Sequence, residues 1–64
     1  MNSDQLIQFK TIADEGNMHK AAEKLFISQP ALSKTLSKLE KELGCELFNR
    51  TGKRIILNEK GKQL

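Results

Sequence analysis

Ser28-Gln29-Pro30-Ala31-Leu32-Ser33-Lys34-Thr35-Leu36-Ser37-Lys38-Leu39-Glu40-Lys41-Glu42-Leu43-Gly44 is the stretch on which the fold turns. Ser28 is an N-cap residue, whose side-chain oxygen can take a backbone N–H of the first turn. Pro30 suits that turn, because the N–H it lacks would find no intrahelical partner there. Leu32, Leu36, Leu39 and Leu43 then recur at intervals of four, three and four, which places them on one face of a helix over residues 28–43. Gly44 can adopt the left-handed conformation that closes such a helix. The opposite face carries Gln29, Pro30, Ser33, Lys34, Ser37, Lys38 and Lys41, with small or amide groups first and lysines after them.

Upstream, Asn2 or Ser3 can cap a first helix, and Asp4 sits where the helix dipole favours a negative charge. Leu6, Phe9, Ile12 and Ala13 line one side of it, and Gly16 ends it. Asn17 caps a short second helix in which Ala21, Ala22 and Leu25 share a side, the alanines permitting close approach of another helix. Phe26 and Ile27 break the pattern and are expected as core plugs. Downstream of Gly44 the helical period fails. Leu47-Phe48-Asn49-Arg50 and Arg54-Ile55-Ile56-Leu57, joined by Thr51-Gly52-Lys53, predict a short hairpin. Asn58 can cap a fourth helix with Glu59 in its first turn, and residues 58–64 make about two turns of it. A helix so short is marginal alone, so it is expected as the start of a longer linker helix.

The chain has 64 residues, which supports one small domain. A hydrophobic content of 38%, with no run near the ~20 apolar residues of a membrane helix, excludes a membrane-spanning class. The polar start Met1-Asn2-Ser3-Asp4 is not a signal peptide, and a cytoplasmic location is expected. Cys45 is the single cysteine, so no internal disulfide can form, and it is expected to be partly buried. His19 has no second ligand at metal-site spacing; neither metal nor cofactor is expected. No nucleophile–base pair or glycine-rich phosphate loop is present, and an enzyme is not expected.

The net charge of +3 is unevenly spread. Residues 1–32 set Lys10, Lys20 and Lys24 against Asp4, Asp14, Glu15 and Glu23, a net −1. Residues 33–64 set eight Lys and Arg against four Glu, a net +4. The second half is therefore the one suited to a polyanion.

Two short helices joined by a tight turn, backed by a third and followed by a basic hairpin, predict a mainly α winged helix-turn-helix. Its three-helix core and two-stranded wing occupy residues 1–57, with the linker helix starting over 58–64. In that arrangement the 28–43 helix enters the major groove of double-stranded DNA and the 47–57 wing meets the flanking backbone or minor groove. Gln29 can bond adenine at two atoms, Lys34 can donate to guanine, and Ser33 permits close approach; Pro30 and Ala31 offer apolar contact to a thymine methyl. Ser28, at a helix N-terminus, suits a phosphate. Ser37, Lys38, Arg50, Lys53 and Arg54 complete the expected DNA-binding set.

Ala21-Ala22-Glu23-Lys24-Leu25, Ser28-Gln29-Pro30-Ala31-Leu32-Ser33, Leu39-Glu40 with Leu43-Gly44, and Leu47-Phe48 with Arg50 follow one another in an order and spacing that resembles the N-terminal domain of LysR-type transcriptional regulators. The resemblance runs from about Leu6 to Gly61. It implies Gln29, Pro30, Ser33 and Lys34 at the recognition-helix surface and Arg50 and Lys53 in the wing. It also implies a homodimer or tetramer on an inverted-repeat operator, and a small-molecule effector held by a C-terminal domain that these residues do not include. Met18 stands where an aromatic residue is common in the family, Arg54 where a small residue is usual, and Ile56 where a polar or basic one is frequent. The alternative is a winged-helix interaction module whose basic half meets an acidic protein.

Overall fold

The structure, a computed structural model, describes residues 2–52 and 54–63; Met1, Lys53 and Leu64 lie outside the described residues. In chain order its elements are α1 (Ser3–Glu15), α2 (Met18–Leu25), α3 (Gln29–Leu43), β1 (Phe48–Thr51), β2 (Arg54–Leu57) and α4 (Glu59–Lys62). Each helix starts where a capping side chain replaces a missing intrahelical acceptor. Asn2 Oδ1 accepts from the Gln5 N–H at 2.8 Å, and the Gln5 side chain accepts from the Asn2 N–H in return, a capping box. Asn17 Oδ1 accepts from the Lys20 N–H at 3.0 Å, Ser28 Oγ from the Ala31 N–H at 3.2 Å, and Asn58 Oδ1 from the Gly61 N–H at 2.9 Å. Gly16 and Gly44 close α1 and α3 with positive φ.

The core is formed by Phe9 and Ile12 of α1, Met18, Ala21 and Ala22 of α2, and Leu32, Leu36 and Leu39 of α3, with Leu47, Phe48 and Ile55 sealing it. The two alanines let α2 lie close to its neighbours. The rings of Phe9 and Phe48, tilted at 52° with centroids 5.3 Å apart, join α1 to the root of the hairpin. Strands β1 and β2 pair antiparallel with Phe48 opposite Leu57 and Arg50 opposite Ile55. The Ile55 N–H donates to the Gly16 carbonyl at 3.1 Å, so β2 is also tied to the α1–α2 turn. The mainly α winged helix-turn-helix expected from the sequence is the fold observed.

Five details differ from the expectation. Phe26 is no core plug: its side chain is 94% exposed. It occupies the left-handed position just past α2, where its N–H donates to Glu23 O and that of Ile27 to Ala22 O. That reversal turns Ile27 toward the core and Phe26 away from it. Leu6 is half exposed, because α1 begins before the core does. Leu43 is 42% exposed, since the last turn of α3 runs past the residues that cover Leu36 and Leu39. Leu47 lies outside the strand, wholly buried. Finally α4 makes a single turn, Glu59–Lys62, among the described residues.

Candidate nucleic-acid interface

The leucines that bury one side of α3 leave the other side for something else. Gln29, Pro30, Lys34, Ser37 and Lys38 are exposed, and Ser33 is partly so. Ser28 Oγ accepts from the Ala31 N–H, which leaves its O–H and the neighbouring backbone N–H groups to donate to an anion at this helix start. Arg50 on β1 and Arg54 on β2 are exposed beside this face. Lys53, assigned to the same set from sequence, lies outside the described residues.

Two open grooves bring these elements together. The first, of about 580 Å³, is lined by Asn17, Met18 and His19 from the start of α2, Gln29 from the start of α3, and Arg50, Gly52, Arg54 and Ile55 from the hairpin. The second, of about 450 Å³, lies between α3 and β1 and is lined by Ser33, Ser37, Glu40, Glu46, Phe48, Asn49 and Arg50. Arg50 borders both. The expected recognition residues Gln29, Ser33 and Ser37 thus share grooves with wing arginines, while Pro30, Lys34 and Lys38 line neither groove.

Several lining residues lie outside the expected DNA-binding set. His19 Nε2 lies 3.1 Å from Glu23 Oε1 on the next turn, at the surface. Glu46 and Asn49 enter the second groove only because the chain doubles back after Gly44. Glu40 is the residue with a legible warning: it lies four residues after Leu36, in the row of Leu32 and Leu36, so a carboxylate there sits at the edge of the apolar face. Its Oε2 accepts the Leu47 N–H at 2.7 Å in a partly buried setting. Among the described residues, no group of three metal-ligating side chains converges, and no helix is long and apolar enough to cross a membrane.

A helix face of this character beside a basic hairpin is what comparison with known proteins also finds. The family described as "Bacterial regulatory helix-turn-helix protein, lysR family" matches residues 3–62. A "Probable RuBisCO transcriptional regulator" of Thalassiosira pseudonana is 54% identical over 57 residues, covering 89% of this chain and 19% of that protein. Among solved structures, a "CbnR_DBD-DNA complex" superposes with a TM-score of 0.93 at 36% identity, over 98% of this chain and 72% of that one. A "BenM_DBD/catB site 1 DNA Complex" gives 0.92 at 35% identity, over 98% and 70%. The chain spans about a fifth of the length of the curated relatives it matches. With nearly every described residue inside the matched span, the chain belongs to the lysR family of bacterial regulatory helix-turn-helix proteins.

Proposed function

We propose that this chain is a sequence-specific double-stranded DNA-binding domain of a transcription regulator, with α3 in the major groove and the β1–β2 wing on the flanking backbone or minor groove. The observation that carries the reading is the superposition, over 98% of the chain, on a domain solved in complex with DNA. Gln29, Pro30, Ser33 and Lys34 read base edges; Ser28, Ser37, Lys38, Arg50, Lys53 and Arg54 position the domain against phosphate and sugar. Residues 1–57 form the binding domain, and 58–64 begin a linker helix through which two copies meet. The dimer or tetramer engages an inverted repeat whose half-sites lie about 34 Å apart, in the cytoplasm, under control of a small effector bound elsewhere in a longer protein. Its relatives carry the names of transcriptional regulators, which supports a regulatory rather than an enzymatic role.

Selection of bound sites from a random DNA pool tests this. The chain is expected to enrich one short motif, and Gln29→Ala to change the preferred base at one position at a cost of about 1–3 kcal/mol on the best site. Lys38→Ala is expected to weaken all sequences alike. Equal weakening of every sequence by both substitutions would overturn direct readout by α3.

A further inference from the structure

The backbone of one residue, Leu47, ties three elements together. Its N–H donates to Glu40 Oε2 of α3 at 2.7 Å, and its carbonyl accepts the Asn58 N–H at 2.9 Å. The Asn58 side-chain amide donates to the neighbouring Glu46 carbonyl at 2.8 Å. Gly61 of α4 lies so close that an added Cβ would run into the Leu47 carbonyl oxygen. Leu47 immediately precedes β1, and its side chain is wholly buried. Glu40 itself lines the groove whose walls are Ser33 and Ser37 of α3 and Asn49 and Arg50 of the wing.

We propose that Glu40 is a positioning residue for DNA binding: its carboxylate, acting through the Leu47 N–H, sets the wing at the height and angle from α3 at which both engage one duplex together. This rests on the DNA-binding reading above. At 2.7 Å this is a short N–H···O bond that fixes the separation of its partners, and it crosses from the last turn of α3 to the hairpin root, past the reversal at Gly44. Without it the wing keeps its β1–β2 pairing and its tie to Gly16 but loses the hydrogen bond that sets its root against α3. Glu40 touches no DNA in this arrangement; it decides whether Arg54 does.

Arg54 is the probe, because it lines the groove that Glu40 does not. Arg54→Ala is expected to lower DNA affinity on the order of tenfold at about 0.1 M salt, the worth of one phosphate contact. The same substitution is then repeated in Glu40→Gln, which keeps the reach and an acceptor oxygen but not the charge, and in Glu40→Asp, which keeps the charge but is one methylene shorter. The Arg54 effect should persist with Gln and vanish with Asp, in proteins shown by circular dichroism to be folded. Hydrogen exchange in the DNA-free chain should show the Leu47 amide protected with Gln and unprotected with Asp. An Arg54 effect of equal size in all three backgrounds, or one that follows the charge instead of the reach, overturns the proposal, as does a Leu47 amide equally protected in both variants. Failure of the unsubstituted chain to bind DNA would instead overturn the DNA-binding reading, and the exchange measurement would still decide whether Glu40 holds the hairpin root.

Discussion

Phe26 holds φ at 58°, a backbone region that costs an L side chain about 1–2 kcal/mol, and exposes 94% of its side chain while doing so. It gains no burial in return. Glycine relieves the steric term but adds back about 0.5–1 kcal/mol of chain entropy, so Phe26→Gly is expected to stabilise the domain by about 0.5–1 kcal/mol. In a domain of this size each kcal/mol raises the melting temperature by about 4–8 °C, and thermal unfolding by circular dichroism reads it. A lower melting temperature would mean that Phe26 packs against something in solution. Gly61 is the opposite case. Glycine to alanine inside an exposed helix ordinarily stabilises by up to about 1 kcal/mol. Here the new Cβ meets the Leu47 carbonyl and comes within 2.6 Å of Leu57 Cδ2. Gly61→Ala is therefore expected to destabilise by about 1–3 kcal/mol, the range for forcing atoms into filled space. Urea unfolding of the two variants should move in opposite directions.

Among the elements, α3 was the most legible and also shows where legibility stops. Its cap, its proline and its leucine row are local signals, and the helix runs over Gln29–Leu43, between the cap Ser28 and Gly44. The exposed side of α3 was legible for the same reason, because it is the complement of the leucines. Burial of each leucine was not, since that depends on which elements arrive opposite it. Leu36 is 2% exposed and Leu43 42%. Leu36→Ala should cost about 2–5 kcal/mol, against a total stability of about 3–10 kcal/mol for a domain of this length; Leu43→Ala should cost less than about 1.5 kcal/mol, in proportion to the area it hides. Comparable urea midpoints for the two would contradict the burial described here. The Phe26 reversal was hidden because the left-handed position carries no glycine or asparagine to mark it. The second groove and the Glu40 hydrogen bond were hidden because both arise from chain that returns after Gly44, at no fixed sequence spacing.

For the molecule as a whole, charge and shape together limit how it can meet DNA. On the proposed reading, phosphate contacts come from the basic half, where Lys38, Arg50 and Arg54 lie on α3 and the wing, with Lys53 assigned from sequence. Each neutralised phosphate lowers the slope of log affinity against log salt by about 0.9. Three to four contacts per copy therefore give a slope of about −2.7 to −3.6, and a steeper one would require further cations, Lys34 or Lys41 of α3 among them, to reach the phosphates. On α2, Lys24 is 3.3 Å from Glu15 and partly neutralised by it. Beyond a Debye length of about 10 Å at 0.1 M salt, more distant charges contribute little. Lys38→Ala should make the slope shallower by about 0.9; Gln29→Ala, which changes base preference without removing charge, should leave it unchanged. Fluorescence anisotropy across a salt series reads both. A flat response in the unsubstituted chain would mean that no counterions are released, and that the basic face meets an acidic protein surface rather than a phosphate backbone.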